Sequence, residues 1–201
     1  MSVYYYKGAK ILAPFTITSN EPMYDVDTVS LRKQRASQNV QRWELEFNTI
    51  GEPDTQVDMF LASVANMSQV ETMVMPQLPT VDAKFTASTN TPQVGVAAAQ
   101  DADLIVVQPV GVTGLIPKGT FLKFSNHGKI YVSTSDCDLS SAVPQMTIYP
   151  RLRTAVTISH TLRLGDQAVI SYLTSIDNQA GITFTDGVLS NAGTITLHEA
   201  I

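Results

Sequence analysis

Cysteine is almost missing from this sequence: Cys137 is the single one, so no intrachain disulfide can form. Histidine is nearly as scarce, and His127, His160 and His198 are far apart along the chain. A basic surplus is also lacking. The 13 lysines and arginines stand against 18 acids, a formal charge of −5, which argues against a dedicated nucleic-acid binder with its usual basic face. Nor is there an apolar run long enough to span a bilayer, or a signal-peptide pattern. The expectation is a chain made and assembled in a cytoplasm, with no membrane partner. The G-x-S-x-G, H-E-x-x-H, P-loop and Rossmann glycine patterns are all absent. No catalytic constellation emerges, so the expectation is a protein that is not an enzyme and takes no cofactor.

Apolar residues are present in ordinary amount, 44% of 201 residues, enough for a sizeable core in one large or two small domains. Their spacing is mostly that of strands. Val3-Tyr4-Tyr5-Tyr6 ends at a Lys7-Gly8 turn. Consecutive tyrosines can form a stacking platform for bases, or pack and face out alternately. Ile11-Leu12 and Phe15-Thr16-Ile17 flank Pro14, which suits an edge strand. In 42–48, Trp43, Leu45 and Phe47 take one face while Arg42, Glu44 and Glu46 take the other. Paired glutamates suggest acid chemistry only where a partner acid faces them; on a polar strand face they read as solvated.

One stretch has helical spacing. Pro53 and Asp54 suit a helix start, and Val57, Phe60, Leu61, Val64 and Met67 recur on one stripe over 54–67. The stripe is expected to lie across the sheet holding Trp43. Met67, Met73 and Met75 can line a soft binding surface or fill gaps in a core. Before this helix the charge is segregated: Glu21, Asp25 and Asp27 precede Arg32, Lys33 and Arg35. A basic patch of this kind can be a phosphate contact, a solvated face or a protein-partner surface.

Pro76 and Pro79 mark a boundary, followed by an alternating Val81, Ala83, Phe85 and a loop with a weak strand near Val94-Gly95-Val96. Leu104-Ile105-Val106-Val107 and Ala155-Val156-Thr157-Ile158 read as further strands. Asp136-Cys137-Asp138 offers metal-ligating atoms, but it lacks calcium-loop spacing and reads also as a polar loop between strands. Cys137 has no evident activating base. His198-Glu199 is a poor chelate, because neighbours on a strand point to opposite faces.

The most specific stretch is Pro117–Leu152. Pro117-Lys118-Gly119 is a turn, Phe121-Leu122-Lys123-Phe124 a strand, and Asn126-His127-Gly128 a turn in which Gly128 is free to take positive φ. Lys129-Ile130-Tyr131-Val132 and Ile148-Tyr149-Pro150-Arg151-Leu152 follow. Together with Ser171-Tyr172-Leu173-Thr174 and the closing Gly193–Ile201 run, this order resembles the siphophage distal tail proteins. The resemblance also covers Trp43–Phe47 and the helix, and matches least before Val40.

That resemblance implies a mainly β protein: a β-sandwich-like N-terminal domain with one α-helix, plus an inserted OB-fold-like β-barrel domain. The first domain would comprise 1–80 and 168–201 and be discontinuous, with the barrel at 81–167. It implies a structural phage tail protein in the virion, assembled in the host cytoplasm as a hexameric hub ring at the distal end of the tail tube. Its partners would be the tail tube protein and the tail tip or baseplate hub proteins, with side-fibre or sugar-binding partners also compatible. Glu21, Asp25, Asp27, Arg32, Lys33 and Arg35 are the candidate ring interface, since head-to-tail rings join unlike patches. The alternative is an OB-fold single-stranded nucleic-acid-binding protein, with Phe121, Lys123, Lys129 and Tyr131 as its stacking and basic face.

Overall fold

The computed structural model describes residues 4–27, 33–37, 40–50, 54–55, 57–58, 61, 68–77, 91–175, 183–185, 188–191 and 194–201. Strands account for 50% and helix for 6%, which makes the protein mainly β. The chain divides into two compact units, Tyr5–Val70 with Tyr172–Ala200, and Met1–Tyr4 with Glu71–Ser171 and Ile201.

The first of these units opens with β1 (Tyr5–Tyr6) and β2 (Ala9–Asn20), joined at Lys7-Gly8. Both turn residues have positive φ, 49° and 86°, as a two-residue hairpin loop requires. Tyr6 is buried while Tyr5 is 62% exposed, so the tyrosines alternate rather than form a platform. At Pro14 the pairing of β2 slips between Leu12 and Thr16, since proline has no N–H to give the ladder. A separate two-stranded hairpin follows, β3 (Met23–Asp27) with β4 (Lys33–Ser37), and then β5 (Arg42–Ile50).

In β5 the alternation is strict: Trp43, Leu45, Phe47 and Thr49 are buried, and Arg42, Glu46 and Ile50 exposed. Each large side chain so buried contributes about 1.5–3 kcal/mol. Asp54, Thr55, Val57, Asp58 and Leu61 are helical. The rest of the expected 54–67 helix, Phe60, Val64 and Met67 included, lies outside the described residues. Leu61 is 55% exposed, a correction to its expected place on the buried stripe; successive helical residues turn by about 100°, so a position at the edge of an apolar stripe can face solvent.

The second unit runs through β6 (Glu71–Val74), β7 (Gln93–Val94), β8 (Leu104–Gln108), β9 (Leu115–Ile116), β10 (Phe121–Phe124), β11 (Ile130–Ser133), β12 (Cys137–Asp138), β13 (Gln145–Tyr149) and β14 (Leu162–Arg163). The expected strand over Val81–Phe85 lies outside the described residues. Six of these strands form one sheet in the order β14-β10-β11-β13-β8-β7. A Gln93↔Thr161 bridge then joins the last strand to the start of the first, so the sheet is a nearly closed barrel. Inside it pack Val94, Ile105, Leu122, Phe124, Tyr131, Met146, Leu152 and Leu162. Leu122 and Tyr131 face each other across β10 and β11.

One expected strand is missing here, and two local details are refined. The span 155–158 is no strand: Val156 makes one bridge to Ala98, and Ile158 is exposed. Gly128 does not take positive φ, whereas Gly119 does, at 86° in the Pro117 turn. The weak strand near Val94 is two residues long and ends before Gly95.

The chain returns to the first unit through β15 (Val169–Thr174), β16 (Thr183–Thr185), β17 (Val188–Asn191) and β18 (Thr194–Glu199). Within that unit the order is β1-β2-β5-β18-β15. Ile195 sits opposite Phe47 and Leu197 opposite Leu45, so the buried faces of β5 and β18 coincide. Phe47 also packs edge-on against Tyr6, with ring centroids 5.3 Å apart, and stacks on Phe15 at 5.4 Å. Truncating it removes all of these contacts. Phe47→Ala is expected to destabilise this unit by about 3–5 kcal/mol, read as a lowered denaturant midpoint; an unchanged midpoint would mean that the ring is not part of the core.

Candidate functional site

The polar groups of the barrel converge around Thr161, where the sheet closes. Val94 N–H donates to His160 O (2.8 Å), Leu162 N–H to Pro92 O (2.8 Å) and Ser159 N–H to Val94 O (3.2 Å). From the other side, the turn after β10 reaches in: Ser125 N–H donates to Thr161 O at 3.0 Å, and Thr161 N–H to Ser125 Oγ at 3.1 Å. His127 and His160 therefore flank one seam, although the sequence separates them widely.

His127 is held by a directed chain of hydrogen bonds. Asn126 Nδ2 donates to Ala155 O at 3.0 Å, which orients the amide and leaves Oδ1 towards His127 Nδ1, 2.9 Å away. Nδ1 is thus the donor, and Nε2 accepts from Tyr131 O–H at 2.7 Å. The tyrosine oxygen in turn accepts Arg153 N–H at 3.1 Å. The ring packs near-perpendicular to Tyr131, centroids 5.5 Å apart, and against Phe124 at 5.7 Å. Burial first, then the charges of His160, Lys123 and Arg153, push its pKa down to about 4. His160 is also engaged: its Nδ1 accepts Thr157 N–H at 3.1 Å, and Nε2 lies 3.2 Å from Thr157 Oγ1.

Among the candidate interface residues, Asp25 pairs in register with Arg35 and Asp27 with Lys33 along the β3–β4 hairpin. Glu21 lies just before the hairpin, and Arg32 falls outside the described residues. The segregated acids and bases are thus brought opposite each other within one hairpin.

The four residues offered as a stacking face are dispersed. Tyr131 is in the barrel core and Lys129 is 3% exposed. Lys123 Nζ donates to Val169 O at 3.1 Å. Phe121 is partly buried, and its backbone is bracketed by the Gln77 amide: Gln77 Nε2 donates to Phe121 O (2.9 Å) and Phe121 N–H to Gln77 Oε1 (3.1 Å).

Asp136-Cys137-Asp138 holds turns. Asp136 Oδ1 accepts Lys118 N–H at 2.7 Å and Asp138 Oδ1 accepts Ser140 N–H at 2.8 Å. Among the described residues no group of three His, Cys, Asp or Glu side chains could hold a metal ion. In the sheet unit, His198 Nδ1 lies 3.6 Å from Glu44 Oε2, its register partner. Glu199, on the opposite face, is 4% exposed and accepts Trp43 N–H at 3.1 Å.

The scan against protein-family models gives no match, and neither does the search of curated proteins.

The histidine pair at the seam was the element that sequence reasoning missed. A Tyr four residues beyond His127 was its only local trace, and nothing local marks Arg153 or His160 as neighbours. Cys137 is fully buried, and burial with the neighbouring Asp138 charge pushes its thiol up to about 11. At pH 8 it is expected to resist a thiol reagent in the native protein and to react stoichiometrically once unfolded; rapid native labelling would contradict that environment.

Proposed function

We propose that this chain is a structural phage tail protein that assembles as a hexameric hub ring at the distal end of a tail tube, joining it to the tail tip or baseplate. The observation that carries the reading is the arrangement of the chain: a sheet unit formed from Tyr5–Val70 and Tyr172–Ala200, with the intervening residues building a barrel. This is the arrangement that the resemblance implies. In this reading the barrel is OB-like, with the two-residue β7 and β14 as its closing pieces, and the sheet unit is sandwich-like.

The β3–β4 hairpin gives the ring its contact. It forms a two-stranded sheet of its own among the described residues, and such a hairpin is marginally stable in water. A neighbour's strand edge could pair with it and satisfy its outer backbone groups. Because Asp25 lies opposite Arg35 and Asp27 opposite Lys33, the hairpin is balanced in charge. It therefore suits a contact made by backbone pairing with charges setting the register, rather than two patches of opposite sign.

Light scattering of the purified chain is expected to give six times the monomer mass, free of nucleic acid. A monomer that retards single-stranded oligonucleotides would favour the nucleic-acid reading instead. Charge reversal at Arg32 and Arg35 is expected to weaken the ring while each subunit stays folded. Exposed ion pairs contribute only about 0–1 kcal/mol each, but a ring repeats the contact in every subunit. The same oligomer at low and high salt would remove this hairpin from the interface.

A further inference from the structure

We propose that His127 is an acid-sensitive latch on the closing seam of the barrel: neutral, it holds the turn that fixes Thr161, and so residues 92–95 against 159–162; protonated, it releases them. The proposal does not depend on the ring reading.

The closing strands are only two residues each, Gln93–Val94 and Leu162–Arg163. Closure therefore rests on a few backbone bonds, and on whatever fixes Thr161 in place. Thr161 is gripped by Ser125 through both its N–H and its C=O, and Ser125 belongs to the turn that carries Asn126 and His127. That turn is tied down by two bonds that reach the 153–155 segment, Asn126 Nδ2 to Ala155 O and Arg153 N–H to Tyr131 Oη, the latter continuing to His127 Nε2. His160 contributes its own carbonyl to the seam and its Nδ1 to Thr157 N–H.

Each ring thus has one nitrogen serving as an acceptor. Protonation turns both nitrogens into donors. Nε2–H of His127 would then face the Tyr131 hydroxyl, which must give up donating and accept from two groups at once. The charges that bear on His127 come from His160 ahead of β14, Lys123 on β10 and Arg153 after β13. All three are basic, and with neutral Tyr131 from β11 no carboxylate is among them. A proton on His127 therefore adds like charge to a cationic cluster, in partial burial.

The sign follows from the depressed pKa. An open seam exposes His127 to water, where it titrates near its ordinary 6.5; closed, it titrates at about 4. Between these values the open form binds a proton that the closed form does not. Closure is fully stable above the upper value and weakens as pH falls towards the lower one.

Amide exchange by NMR tests this directly. Protection at Val94 and Leu162, corrected for intrinsic rates, is expected to fall roughly twentyfold between pH 7 and pH 5. Ile148, bonded to Asp103 O away from the seam, should hold its protection. In His127→Gln the fall should be lost. The same fall in this variant, or flat protection in the parent protein, would overturn the latch. Should the glutamine variant not fold, Tyr131→Phe keeps the histidine but removes the hydroxyl that links it to Arg153 N–H. Protection at Val94 and Leu162 at pH 7 should then fall towards its pH 5 level; unchanged protection would overturn the proposal equally.

Discussion

Closing a short-stranded barrel is the constraint on which this structure turns. A sheet left open ends in two rows of unpaired backbone groups. Here the two edges meet through strands of two residues, and each hydrogen bond between them contributes only about 0.5–1.5 kcal/mol net. The closure is therefore secured from beneath, by Val94, Phe124 and Leu162 in the core, and from beside, by the turn at Ser125–His127. A partly buried polar chain running from Arg153 through Tyr131 to His127 keeps that turn in register. Its members are satisfied only in one tautomer, which makes the barrel's polar wall more specific than its apolar filling.

The sheet unit meets the same constraint differently. Its central strands β5 and β18 come from distant parts of the chain and match buried position to buried position, Leu45 to Leu197 and Phe47 to Ile195. Among the described residues of this unit Glu199 is the one buried acid, and the Trp43 amide that it accepts offsets part of its desolvation. A sheet of this kind brings both halves of a discontinuous unit under one set of hydrogen bonds.

The groups that a chemical reading would turn to are engaged in holding backbone. Asp136 and Asp138 fix turns beside Cys137, whose thiol is kept protonated by burial. Gln77 uses its side-chain amide as a one-residue strand partner for Phe121.

The sequence by itself determined where most strands run and which face of each is buried. Trp43-Leu45-Phe47 and Leu122-Phe124 alternate because a pleated strand has a period of two, and that period is local. It determined the turns at Lys7-Gly8 and Pro117-Gly119 as well, since glycine admits positive φ without steric cost. It left undecided every feature that depends on which segments meet. Tyr131 and Lys129 read as a surface pair, yet both are buried; a lone bridge at Val156 replaces an expected strand; Leu61 faces solvent. Asp25 and Arg35 read as separated charges until the hairpin register set them opposite one another. Only the tertiary structure brought His127 and His160 to the two sides of Thr161, because strand order and closure are fixed by the packing of a whole barrel and not by any pattern within a strand.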